Sequence, residues 1–245
     1  MALLAAAWSA FYGYFIYYGA ALMTEAFYIP ALLWVLDCAQ RLGQNNPKFF
    51  WARPLELGLS LGLTILLRQT FLLFVPFLLL WLWWVETRAS QAKAPRFRLP
   101  SRALVLGSLL ALALSALLIA PFTLYNYVRF QRFVLLNTNS GYVFFWSNHP
   151  IHGSNFVPIF TEDMPSYQSL IPKELRSLDE AALDQMLLKL GVGFVLEDPW
   201  RFVKLSLSRI PEHFIFWPLP TSGKLSNIVR VASLGLAQPF AVGGH

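Results

Sequence analysis

Residues 54–86 read PLELGLSLGLTILLRQTFLLFVPFLLLWLWWVE. Between Glu56 near the start and Glu86 at the end, the one polar cluster able to form a turn is Arg68-Gln69-Thr70. An unbroken helix of some thirty residues would reach about 45 Å at 1.5 Å per residue, longer than the roughly 30 Å hydrocarbon core of a bilayer. Both flanks are basic, which places both ends of the stretch on the cytoplasmic side of a membrane. The stretch therefore turns back at Arg68. This predicts helices over 54–67 and 70–85, with Arg68 at the extracytoplasmic tip and Trp81, Trp83 and Trp84 anchoring the returning helix at the cytoplasmic interface.

The two flanks carry the charge of the whole chain. Residues 41–56 (Arg41, Lys48 and Arg53 against Glu56) contribute +2, and residues 86–102 (Arg88, Lys93, Arg96, Arg98 and Arg102 against Glu86) contribute +4, which together equal the formal net charge of +6. Basic residues confined to short loops between apolar spans orient a membrane protein, and this location argues against a nucleic-acid partner. With 56% hydrophobic and only 13% charged residues in 245, the composition lies outside the range of soluble domains. The lone thiol, Cys38, leaves no intrachain disulfide or thiolate metal cage.

Working outward, residues 2–18 and 25–42 form two further apolar segments around Gly19, Thr24 and Glu25. Because the loop after residue 41 is cytoplasmic, Glu25 opens its helix on the outer side, with Thr24 as its N-cap and its carboxylate favoured by the helix dipole. A fifth span over 104–120 ends at Pro121. The fold class expected is mainly α, a polytopic membrane protein of about five spans over 1–120 followed by a small extracytoplasmic helical and irregular domain over 121–245.

In that second part, Asn137-Thr-Asn-Ser-Gly141, Ser147-Asn-His-Pro150 and Gly153-Ser-Asn155 are dense in turn formers and predict an irregular loop over the membrane mouth. The aromatic run Tyr142, Phe144, Phe145 and Trp146 inside it reads as a membrane-facing packing cluster, with sugar stacking as the alternative. Ser177-Leu-Asp-Glu180 reads as a capping box opening a helix with apolar Ala181, Leu183, Met186, Leu187 and Leu190. Asp198-Pro199 opens another helix with mixed apolar and basic positions from about residue 199, suited either to a membrane interface or to a soluble core. His149 and His152 have a His-x-x-His spacing, but flank Pro150 in an Asn-rich turn; no metal site is expected there. Glu162-Asp163 reads as a solvated loop pair.

Several of these segments, in order, resemble the membrane glycosyltransferases of GT-C type, the family that includes protein O-mannosyltransferases and lipid A aminoarabinose transferases. Gly19-Ala-Ala-Leu-Met-Thr-Glu25 is similar to a turn plus glutamate before one of the family's helices, and Gly58 to Thr70 to its Gly-Leu-rich hairpin with a basic tip. Pro121-Phe-Thr-Leu-Tyr-Asn126-Tyr resembles its helix-to-loop exit, Pro-Trp-x-x-Arg-Asn. Asn139 to Gly153 resembles the following loop, and Asp198-Pro-Trp-Arg-Phe the start of a later amphipathic helix. The resemblance implies a multi-pass protein of the plasma (inner) membrane whose C-terminal domain is extracytoplasmic. Its partners would be membrane lipid, a polyprenyl-phosphate-linked sugar as donor and a glycan, lipid or protein acceptor. No cofactor is implied beyond the lipid-linked donor, and no residue pattern supports a divalent cation.

The family's acidic first-loop motif has no counterpart here, so the catalytic carboxylate is unassigned and the chain is expected to be a fragment of such an enzyme. Tyr125 stands where the family often has arginine, and Arg129, one helical turn on, shares its face if the exit is helical. The resemblance thus makes Arg68, Asn126 and Arg129 candidates for binding the carrier phosphate and Glu25 a supporting candidate at the catalytic site. Two bland readings stand beside these: Arg68 as a snorkelling residue at a hairpin tip, and Glu25 as a helix-start carboxylate. A transporter or a non-catalytic assembly subunit is the competing function class.

Overall fold

The computed structural model describes residues 23–43, 51–89, 100–156, 166–211, 218 and 223–232, together with 3, 7, 10–12, 15 and 16. The expected span over 2–18 lies largely outside these residues, as do Lys48, Lys93, Arg96, Arg98 and the Glu162-Asp163 pair. The protein is mainly α-helical, with no strand among the described residues. It divides into two compact units, one of residues 15–136 and one of residues 137–245 with 1–14.

The first unit contains α1 (Thr24–Gly43), α2 (Ala52–Leu67), a 3-10 segment (Gln69–Phe74), α3 (Val75–Ala89) and α4 (Arg102–Phe130). α2 is the hub and packs against both α1 and α4. Its buried residues Leu57, Gly58, Leu61, Gly62, Thr64 and Ile65 recur at three- and four-residue spacing, the period of a helix face. Glycine is required here by proximity: a Cβ on Gly58 would lie 2.7 Å from the Ala111 carbonyl oxygen, and one on Gly62 2.6 Å from Leu118 Cδ1. Buried hydroxyls add bonds that need no water. Ser115 Oγ lies 2.9 Å from the carbonyl oxygens of both Gly58 and Ala111, and Thr64 donates to the Ser60 carbonyl at 2.7 Å.

The break between α2 and α3 falls at Arg68, whose extended backbone (φ −144°, ψ 104°) ends α2 before the 3-10 turn begins. Two helical stretches, Gln69–Arg88 and Arg102–Phe130, are long and apolar enough to cross a membrane. Their exposed residues include Phe77, Leu80, Leu106, Leu109, Leu117 and Phe122, so the apolar surface is turned outward. α2, at 16 residues, falls short of that length.

Two local expectations of this unit are corrected. α4 does not end at Pro121 but continues through it to Phe130, closing at Gln131 in the left-handed conformation (φ 51°). Helices that cross membranes tolerate proline; beyond it, Thr123 and Asn126 bind the chain that returns along α4. Gln131 makes the reversal, its N–H donating to Tyr127 O at 2.8 Å and its side chain to Val128 O at 2.9 Å. Thr24 does not cap α1: it lies in the first turn, and its hydroxyl donates to the Glu25 carboxylate at 3.3 Å.

The second unit holds α5 (Ser140–Asn148), α6 (Glu180–Glu197), α7 (Pro199–Ser208) and α8 (Lys224–Arg230), with 3-10 turns at Pro150–His152, Tyr167–Leu170 and Lys173–Leu175. The segment expected to be an irregular loop is therefore a helix, α5, packed on α6. Gly141, Phe145 and Asn148 form its buried side. Gly141 sits under α6 so closely that a Cβ would lie 1.9 Å from the Asp184 carbonyl oxygen, and Gly191 of α6 meets Phe144 and Phe145 in the same way. The aromatic run faces into this unit: Phe145 is buried, and Trp146 contacts Tyr167 with ring centroids 4.3 Å apart. α6 is capped by Asp179, whose carboxylate accepts from Ala182 N at 2.9 Å, not by Ser177. Residues 173–178 are taken up in turns, so the helix starts two residues later than the capping box implies.

Candidate functional site

α1 and the end of α2 bring Glu25 and Arg68 together. The Arg68 guanidinium forms an ion pair with the Glu25 carboxylate and lies 5.8 Å from the centroid of the Tyr28 ring, which itself meets Phe71 edge to face. The two charges, 43 residues apart in the chain, thus satisfy each other at the α2–α3 break. Their side chains remain about two-fifths and one-third exposed, respectively, which leaves room for a ligand at the pair. In water such a pair contributes only about 0–1 kcal/mol, so stability alone gives little reason to place it among apolar helices.

Asn126 and Arg129 lie in the last turns of α4, where the proline-interrupted helix carries them. Asn126 donates its amide hydrogens to the carbonyls of Val134 (3.3 Å) and Leu136 (3.0 Å), and Thr123 Oγ1 donates to Leu135 O at 2.8 Å. Asn126 therefore holds the returning chain, and no donor remains on its side chain for a phosphate in this conformation. Arg129 is exposed, with its guanidinium 5.2 Å from the Phe130 ring centroid. It shares the helix face of Tyr125, as the helical exit requires.

The first unit also carries an open apolar groove of about 600 Å³. Leu61 and Ile65 of α2, Leu72 and Val75 beyond the break, and Ile119 and Tyr127 of α4 contribute to its walls. Along the chain, the lining residues Ile65 and Leu72 bracket Arg68, while Tyr127 and Phe133 bracket Arg129. The space is an apolar slot, and neither Arg68 nor Arg129 is among its lining residues.

The second unit carries polar devices that the motifs did not single out. Asp184 of α6 accepts from Tyr142 N at 3.0 Å and lies 3.5 Å from Ser140 Oγ, capping the start of α5 from across the interface. Burial pushes its carboxyl above the ordinary value, against the pull of the Tyr142 and Gly141 N–H groups. At the other end of α5, Arg201 of α7 donates to Asn148 O at 2.8 Å and to Phe194 O of α6 at 3.3 Å, while Arg209 donates to Ser147 O. Guanidinium groups on free C-terminal carbonyls satisfy both the hydrogen bonds and the helix dipole. The sequence signals for these roles are faint: Arg201 stands at the third position of α7, and Asp184 differs in no local way from a solvated helix carboxylate.

His149 is engaged within its own turn. Its Nδ1 accepts from Ile151 N at 3.2 Å and its ring packs edge-on against Phe145 and Phe194. Among the described residues no cluster of three metal-ligating side chains occurs. A second groove, of about 740 Å³, lies over α5 and α6 with Tyr142, Gln168, Arg176, Glu180 and Asp184 among its walls. No protein-family model, curated protein or solved structure matches the chain.

Proposed function

We propose that the chain is a membrane glycosyltransferase, or the carrier-binding part of one, that moves a sugar from a polyprenyl-phosphate to an extracytoplasmic acceptor. In this reading it is multi-pass, with about five spans in the plasma (inner) membrane. The observation that carries it is the apolar groove between α2 and α4 whose lining brackets Arg68 and Arg129 in the chain. An isoprenoid chain suits such a slot, and Arg68, three residues beyond the lining residue Ile65, offers a guanidinium for the phosphate, whose charge grows as the glycosidic bond breaks. Glu25, engaged by both Arg68 and Thr24, fits the task of orienting Arg68 better than that of taking a proton from an acceptor. The acceptor base is then supplied by a carboxylate outside the described pair.

The competing reading is a non-catalytic membrane subunit or transporter. The closure of Glu25 on Arg68 favours it, because a self-satisfied pair also serves simply to join α1 to the α2–α3 break. Sealed vesicles containing the protein separate the classes when sugar release from a polyprenyl-phosphate donor is followed alongside sugar uptake. Donor breakdown without net uptake is the expected result. Uptake without donor breakdown identifies a transporter, and neither process identifies a subunit that acts only in assembly.

A further inference from the structure

α7 is inside out for a helix on the surface of a soluble protein. Its two arginine-bearing positions turn inward: Arg201 binds the carbonyls of Asn148 and Phe194, and Arg209, just past its end, binds the carbonyl of Ser147. Leu205 is fully buried on that side, and Ser208 Oγ accepts from Phe156 N at 2.9 Å. The other side is apolar and open. Trp200 is 65% exposed, Val203 39%, Leu207 58% and Ile210 50%, a stripe at three- and four-residue spacing. Lys204 lies beside the stripe with its ammonium 5.6 Å from the Trp200 ring centroid. A surface helix in water places its charges outward and its apolar stripe on the core; here the arginines have left the outer face and large apolar groups occupy it.

We propose that this outer face of α7 is seated in the surface of a lipid bilayer, with Trp200, Val203, Leu207 and Ile210 at the level of the acyl boundary and Lys204 reaching the headgroups. Tryptophan and a long cationic side chain are the residue types that settle at that depth, the ring in the interface and the ammonium snorkelling to phosphate. A bilayer is also the apolar phase this unit meets first. It begins at Asn137, seven residues after the end of α4, one of the two helical stretches long and apolar enough to cross a membrane. A tether that short keeps the unit beside the membrane at high effective concentration, so a weakly inserting helix of only ten residues suffices. The inference does not depend on the glycosyltransferase reading; it depends on α4 crossing a bilayer.

Single cysteines carrying a nitroxide test it in the full chain, reconstituted into vesicles of phosphatidylcholine and phosphatidylglycerol. Cys38 is buried and does not compete for the label. Val203→Cys and Leu207→Cys sit on the stripe, Lys173→Cys is exposed elsewhere on the same unit, and Leu117→Cys lies on the outward face of α4. The expected result is that labels at 203 and 207 collide with oxygen more often, and with an aqueous nickel chelate less often, than the label at 173. The label at 117 reads hydrocarbon. Nickel accessibility at 203 and 207 equal to that at 173, with 117 still in hydrocarbon, overturns the proposal alone. Labels at 203 and 207 shielded from both reagents also overturn it, because a protein then covers the face. Water at position 117 removes the membrane reading and this proposal together.

Discussion

The α2–α4 contact and the α5–α6 contact use the same device under different conditions. Both remove side chains at two glycines, Gly58 and Gly62 in one and Gly141 and Gly191 in the other, so that backbones approach closely. In the first, long helices meet through small residues, and Ser115 bonds across the contact to the Gly58 carbonyl. In the second, a nine-residue helix is too short to persist alone, and charges from α6 and α7 close both its ends. In the first contact α4 is capped by a residue of its own flank, Ser101, whose hydroxyl accepts from Leu104 N at 3.2 Å; the short helix of the second exists because Asp184, Arg201 and Arg209 complete it.

That contrast predicts the order of damage from substitution. Gly141→Ala is the most severe, because its Cβ would meet the Asp184 backbone, which cannot move without breaking α6; a loss of about 3 kcal/mol or more in unfolding free energy is expected in thermal or denaturant melts. Gly58→Ala follows at about 2 kcal/mol, since it too meets backbone, whereas Gly62→Ala meets the Leu118 side chain, most closely at its end, and costs about 1 kcal/mol. If Gly62→Ala proves worse than Gly58→Ala, backbone contact is not what governs this interface.

Arg201→Leu leaves the free carbonyls of α5 and α6 without their donor and is expected to lower stability by about 2 kcal/mol, with amide exchange accelerated at the end of α5. The smallest effect concerns pH. Burial, with His152 and Arg201 nearby, pushes the His149 imidazole below its ordinary value of 6.5, and its Nδ1 must stay unprotonated to accept from Ile151. The unfolded chain binds this proton more readily than the folded one, so the contribution is complete above pH 6.5 and declines as the pH falls through the lowered folded value. Melting midpoints measured from pH 7.5 to 5 should drop more in the native protein than in His149→Asn, which cannot titrate.

The first unit was far more legible in the sequence than the second. Residues 54–86 announce their break at Arg68 because one polar cluster interrupts an apolar run too long for a single crossing, and the helices end within a few residues of that expectation. Pro121 misled because the helix continues through it to Phe130, and the side chains that tie its last turns to the returning chain, Thr123 and Asn126, act on carbonyls that become neighbours only after Gln131 reverses the chain. The α5 segment misled for a related reason. Asn, Ser and Gly at its ends are turn formers by local propensity, but Asp184 lies more than forty residues away and Arg201 more than fifty from the helix ends they close. Among the candidate site residues, Glu25 and Arg68 were separately conspicuous as charges in apolar surroundings, yet their pairing could not be read without the packing of α1 on α2. Asn126 was singled out as a phosphate-binding candidate, and in the structure its amide holds the backbone at Val134 and Leu136.

The account turns on whether the slot between α2 and α4 receives a lipid whose phosphate meets Arg68. Equilibrium binding of polyprenyl phosphate and of the uncharged polyprenol, to the native protein and to Arg68→Ala in the same detergent, measures this directly. The native protein should prefer the phosphate by about tenfold or more, the equivalent of one charge-assisted hydrogen bond, and Arg68→Ala should lose that preference while keeping its affinity for polyprenol. Equal binding of both lipids by the native protein, or an undiminished phosphate preference in Arg68→Ala, would contradict the account.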